Sequence, residues 1–224
     1  MRYIKSILAL SAIMVAAFSL TACSETDDTV EEYADWQKKN EAFFTSKYNA
    51  AKQAVSSGDK SWKIIKSYAR DASSTGKPTD YILVKVIRNG EGSGSPLFTD
   101  SVRVHYQGRL LASATHIDSN DKELGLVFDK SWSTDTLNED ISVPAKYGVG
   151  SLVDGFSTAL QNMRIGDRWL VYIPYQLGYG TTDNGSIPAY STLVFDIALA
   201  AYYRAGTKVP QWSSNEGFLW EENY

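Results

Sequence analysis

Few residues in this sequence could do covalent or metal chemistry. The 224 residues include two histidines, His105 and His116, and one cysteine, Cys23. His105 lies within the alternating run VRVHYQGRL (102–110), where it reads as a satisfied sheet residue, and His116 lies in the polar stretch beyond. Two imidazoles without a Cys or Glu cluster at ligand spacing make a poor metal site, so neither metal nor cofactor is expected. The sequence holds no P-loop and no dinucleotide fingerprint. What stands out is LVYIPYQLGYG (170–180), where three tyrosines crowd the point at which a strand meets a proline and two glycines. Tyrosines pack well on sheets, but a ring at such a turn also suits the wall of a small apolar cavity.

The elements around this stretch can be read from periodicity. Residues 30–55 lack Gly and Pro and place Tyr33, Trp36, Phe43, Phe44, Tyr48, Ala51 and Val55 near helical spacing, with Asn40 interrupting the stripe. This helix would pack on the following domain or serve as a dimer or client-binding arm. WKIIKSY (62–68) and YILVKVI (81–87) read as strands, and NGEGSGS (89–95) as turn chemistry. Farther on, strands and turns alternate around a single amphipathic helix near 156–163, where Phe156, Ala159, Leu160 and Met163 share a face before Gly166. Many strands around one short helix mean an α+β fold with a mostly antiparallel sheet.

The first 22 residues form a short positive region, an apolar run from Ile7 to about Leu20 and a small-residue cleavage site. That is a signal peptide rather than a membrane span. Leu20-Thr21-Ala22-Cys23 resembles the bacterial lipobox, which implies acylation of Cys23 and anchorage to a lipid bilayer. Cleavage would remove Arg2 and Lys5 and move the formal charge from −4 to −6. An acidic chain without a basic block argues against nucleic acid as a partner. SETDDTVEE (24–32) then reads as a solvated acidic tether. The expected organisation is signal peptide 1–22, tether 23–32, helical segment and connecting strand 33–77, main domain 78–203 and aromatic tail 204–224.

Four segments carry a family pattern: VRVHYQGRL (102–110), LVFDKSW (126–132), SLVDGFSTALQNMRIGDRWLVYIP (151–174), and LGYG (177–180) with GSIPAYSTLVFDIALAAY (185–202). In this order they resemble the FKBP-type peptidyl-prolyl cis-trans isomerases, over about residues 80–203. The resemblance implies an antiparallel half-barrel wrapped around one short helix, here preceded by an N-terminal helix. It implies a site of rings: Tyr106, the Phe128–Asp129 pair, Phe156, Tyr179 and Phe195, with the Val153 N–H holding a substrate carbonyl. Tyr147, Leu152 and Ile187 would contact substrate. Tyr179 is then the site tyrosine of the opening stretch and Tyr172 a core residue, whereas Tyr175 has no assigned place.

Several positions depart from the pattern. Phe156 replaces a tryptophan, Ile187-Pro188-Ala189 replaces I-P-P, Lys130-Ser131 replaces S-S, and Ala145 stands where an aromatic is usual. LASATHIDSNDKELGLV (111–127) is an insert longer than the usual hairpin. The implied activity is isomerisation of X-Pro bonds in exported proteins, by stabilising a twisted amide without a nucleophile. A catalytically weak peptide-binding chaperone or surface scaffold is the alternative. The implied partners are proline-containing polypeptides, the bilayer at Cys23 and a second copy through residues 30–56. The implied location is the cell envelope, with lipid anchorage to the outer membrane on its periplasmic face or at the cell surface.

Overall fold

A computed structural model of the protein describes residues 30–73 and 75–212. The signal peptide, Cys23, most of the tether and the tail beyond Trp212 lie outside the described residues. In chain order the elements are α1 (Trp36–Ser56), β1 (Trp62–Lys66), β2 (Tyr81–Arg88), β3 (Ser101–Leu111), β4 (Leu124–Lys130), β5 (Ala145–Gly148), α2 (Asp154–Leu160), β6 (Arg168–Ile173) and β7 (Leu193–Tyr203). The strands form one seven-stranded sheet in the order β1-β2-β6-β7-β3-β4, with β5 also paired to β3. Every pairing is antiparallel.

Side-chain alternation decides what each face covers. Ile82 and Val84 of β2, Trp169, Val171 and Ile173 of β6, and Phe195, Ile197 and Leu199 of β7 join one core cluster with Phe156, Ala159, Leu160 and Met163. The intervening Leu83, Tyr172 and Val194 join a second cluster with Phe44 and Ala51 of α1. So α2 fills the concave face of the sheet and α1 covers the other. Gly155 is what lets α2 approach so closely, since a Cβ there would lie 2.3 Å from Ile173 Cγ2. Tyr172 is buried as expected and stacks on Trp62 at 6.2 Å.

Helix α1 begins later than the periodicity predicts. Asp35 adopts a left-handed conformation (φ 54°, ψ 28°), and the residues before it are drawn off the helical path. Glu32 is held there by the 111–127 insert: its carboxylate accepts from the Ser113 hydroxyl, the Thr115 hydroxyl (2.6 Å) and the Thr115 N–H (3.1 Å), with His116 Nδ1 at 3.1 Å. The last residue of the expected tether is therefore clamped rather than solvated. Asn40 corrects the reading of the stripe. It is fully buried, its amide donates to the Trp36 carbonyl (2.8 Å), and its Oδ1 accepts the Thr192 N–H (2.7 Å). The polar residue is a fastening point. Part of the insert is strand, with Leu111 paired to Leu124.

The Glu32 clamp gives a pH prediction. Hydrogen bonds from Ser113 first, then from Thr115, hold the carboxylate near a pKa of about 2, down from 4.5. A depressed folded-state value means that the stabilisation is present above about 4.5 and lost as pH falls toward 2. Amide protection at Ala114, whose N–H donates to the Glu32 carbonyl (3.2 Å), should therefore fall across that window before the sheet opens. Glu32→Gln should weaken it at neutral pH. Protection that is flat across the window in the unsubstituted protein would contradict the clamp.

His105 also differs from its sequence reading. It is buried in β3, 1% exposed, and its Nδ1 has no hydrogen-bond partner among the described residues. Burial pushes its pKa below the usual imidazole range, which keeps it neutral. At the C-terminal end Arg103 donates to the Pro210 carbonyl (2.7 Å) and Arg204 to Asp100 (2.6 Å), so residues 204–210 lie along the sheet. No described helix is long and apolar enough to cross a membrane.

Candidate active site

At one end of α2 the concave face of the sheet is left unfilled. The resulting cavity, about 230 Å³, is lined by Tyr106, Phe128, Asp129, Tyr147, Ser151, Leu152, Val153, Phe156, Tyr179 and Phe195. Four strands, helix α2 and two turns deliver these groups. Strand β3 contributes Tyr106, β4 Phe128 and Asp129, β5 Tyr147, and β7 Phe195. The turn leading into α2 carries Ser151, Leu152 and Val153, with Phe156 in the first helical turn. Tyr179 sits in the turn after β6, tied on both sides: the Gly180 N–H donates to the Tyr175 carbonyl and the Tyr190 N–H to the Gly180 carbonyl, each at 2.9 Å.

The rings meet edge to face, the arrangement their quadrupoles favour. Phe156 and Phe195 lie 4.9 Å apart at 83°, Phe128 and Phe195 5.5 Å apart at 88°, and Tyr106 and Phe156 6.1 Å apart at 85°. Phe156 is the floor, buried to 3% exposure, and brings no N–H of its own. Among the described residues that line the cavity there is no His, Lys or Cys.

The polar groups form one short chain. The Tyr106 hydroxyl donates to Asp129 Oδ2 (2.6 Å) and lies 2.9 Å from the Tyr147 hydroxyl. Because Tyr106 has a single proton and gives it to Asp129, Tyr147 is the donor in the second bond. Burial, then these bonds to Asp129 and Tyr147, push the Tyr106 pKa far above its ordinary value of 10. Tyr179 is also raised, by burial first and then by the charge of Asp129. Both phenols thus remain protonated donors well past neutrality.

Almost all of the residues expected from the sequence converge here. Ile187 does not line the cavity. It is 6% exposed and belongs to the core cluster behind the wall, in a small hairpin closed by the Asn184–Ile187 bridge. Ser151 lines the cavity without having been singled out. Tyr175, unplaced from sequence, packs its ring on Tyr190 at 5.2 Å, and its hydroxyl donates to Glu41 of α1 at 3.3 Å. Gly108 also belongs to the site by what it leaves empty. A Cβ there would lie 2.4 Å from Phe128 Cζ and 2.6 Å from Phe195 Cε1, so both rings rest on its backbone. The signal was available, since a glycine inside a strand marks a close approach.

The chain has relatives among known proteins. Residues 93–200 match the family described as FKBP-type peptidyl-prolyl cis-trans isomerase. The macrophage infectivity potentiator of Trypanosoma cruzi is 35% identical over 130 residues, 58% of this chain and 56% of that protein. The FKBP-type peptidyl-prolyl cis-trans isomerase FkpA of Aeromonas hydrophila is 30% identical over 182 residues, 81% of this chain and 51% of that one. The crystal structure of FkpA from Escherichia coli is similar with a TM-score of 0.51 at 26% identity, covering 77% of this chain and 63% of that one. The chain spans about half the length of the curated relatives it matches. The domain that builds this ring-lined cavity, residues 93–200, belongs to the FKBP-type peptidyl-prolyl cis-trans isomerase family.

Proposed function

We propose that this protein accelerates cis-trans isomerisation of X-Pro bonds in polypeptides of the cell envelope, held at a bilayer through Cys23. The observation that carries the reading is the cavity itself: a prolyl-sized hollow walled by Tyr106, Phe128, Phe156 and Phe195, with no nucleophile-base pair in its lining. The reaction requires none. The uncatalysed barrier of about 18–20 kcal/mol comes from the partial double bond of the amide. In the twisted transition state that resonance is lost and the carbonyl is less polar. A water-poor aromatic cup favours this form over the planar, well-hydrated one.

Each residue then has a role. Phe128, Phe156 and Phe195 bury the prolyl ring, while the Val153 N–H and the Tyr179 hydroxyl donate to carbonyls flanking it. Leu152 shapes the entrance. Asp129 holds Tyr106, which Tyr147 also fastens, and acts as a polar wall rather than a proton donor. Ile187 supports the wall from behind. A homodimer through residues 30–56 would use the outer face of α1 around Lys38, Ala42 and Asn49, because the apolar face is occupied by the chain's own sheet.

A protease-coupled assay on a prolyl tetrapeptide tests the activity. Tyr179→Phe, which removes one hydrogen bond and keeps the ring, should lower kcat/KM about tenfold, on the scale of roughly 1–1.5 kcal/mol for such a bond. Unsubstituted protein that binds the peptide without accelerating its exchange would favour the chaperone or scaffold instead.

A further inference from the structure

Helix α1 touches the catalytic domain where the Tyr179 wall of the site is anchored. Tyr179 and Phe195 both belong to the segment 175–195, and α1 holds that segment in three places. The Trp36 indole N–H donates to Ser191 Oγ (2.8 Å), and Ser191 in turn donates to the Pro188 carbonyl (2.6 Å). Asn40 Oδ1 accepts the Thr192 N–H (2.7 Å), one residue before β7 begins. Glu41 accepts from the Tyr175 hydroxyl (3.3 Å), at the start of the turn that carries Tyr179. The first two are buried, with Trp36 7% and Ser191 3% exposed, and Asn40 and Thr192 nearly inaccessible.

What these contacts restrain is a backbone that resists its own shape. Tyr190 has φ +64°, a conformation that costs a residue with a Cβ free energy and persists only when its surroundings over-determine it. Its ring packs on Tyr175, and its N–H donates to Gly180, the neighbour of Tyr179. Ser191 and Thr192, which follow directly, are the residues that Trp36 and Asn40 bind. A strained residue is thus fixed on one side by the helix and linked on the other to the site tyrosine.

We infer that Trp36 and Asn40 are positioning residues for catalysis, and that α1 is a built-in brace setting the Tyr179 wall of the prolyl pocket. The inference rests on the isomerase reading for its kinetic consequence, but not for its structural one. The least disruptive probe is Trp36→Phe, which keeps an aromatic ring in the core and removes the N–H. Ser191→Ala removes the same bond from the other side.

Either change should lower kcat/KM on a prolyl tetrapeptide about fivefold. In a Tyr179→Phe background the same change should cost less than about twofold, because a residue that acts through the Tyr179 hydroxyl cannot act once it is gone. Native-state hydrogen exchange supplies a readout independent of turnover. The Tyr190 N–H should exchange about tenfold faster in Trp36→Phe, while the β6 amides stay unchanged. Additive losses in the double variant, or unchanged exchange at Tyr190, would overturn the brace. If the unsubstituted protein shows no turnover, the isomerase reading fails separately, and the exchange result alone decides the positioning role.

Discussion

Gly108→Ala should lower kcat/KM for a prolyl tetrapeptide by about a hundredfold or more, and it should do so without removing any side chain that binds substrate. The added methyl would sit 2.4 Å from Phe128 and 2.6 Å from Phe195, closer than any real carbon contact. Two outcomes are open to the protein, and both cost it. The rings can move off the strand into the cavity that they line, which then no longer admits a prolyl ring. Otherwise β3 shifts away from β4 and β7, with which Gly108 is paired at Asp129 and Phe195. Overpacking of this kind costs about 1–3 kcal/mol, so the melting temperature should fall together with activity. A Gly108→Ala protein with unaltered turnover would mean that the rings are not confined as described.

Phe128→Ala separates activity from stability. Phe128 is only half-buried and lines the cavity beside Phe195, so its loss opens the pocket while leaving the core cluster largely intact. Removing about 100 Å² of apolar contact with the prolyl ring, at about 25 cal/mol per Å², is worth about 2.5 kcal/mol, or roughly seventyfold in kcat/KM. Stability should drop by less than the loss expected for a fully buried Phe. Steady-state kinetics alongside denaturant melts checks both. If stability collapses while kcat/KM per folded molecule is kept, Phe128 is a packing residue and the wall belongs to its neighbours.

How much of this was legible in the sequence follows from the range of the interactions. Strands β2, β3, β6 and β7 were readable because alternation is a local signal, and the rings of the site because each sits in a short motif. Strand β5 was not readable, since Ala145–Gly148 is four residues long and exists by pairing with β3, more than forty residues earlier. Asn40 was misread for the same reason. A buried polar residue on an apolar stripe is an interruption until its partner, Thr192, is known. The Glu32 clamp depends on residues about eighty positions away. His105 illustrates a different limit: alternation placed it in a strand but could not say that its Nδ1 would lack a partner. Ile187 came from a motif that fixed its turn and not its orientation, which the small hairpin directs into the core.

On the proposed mechanism this cavity lowers a rotational barrier through a water-poor wall of rings and hydrogen bonds to the flanking carbonyls, without making or breaking a covalent bond. Exchange spectroscopy by NMR on a peptide with one X-Pro bond tests it most directly, with the protein present at a small fraction of the peptide concentration. The proposed mechanism predicts that cis-trans interconversion, which takes tens to hundreds of seconds unaided, becomes fast enough to give exchange peaks. It also predicts unchanged cis and trans populations and a rate that does not vary between pH 6 and 8. Peptide resonances that shift or broaden on binding while interconversion keeps its unaided rate would contradict it.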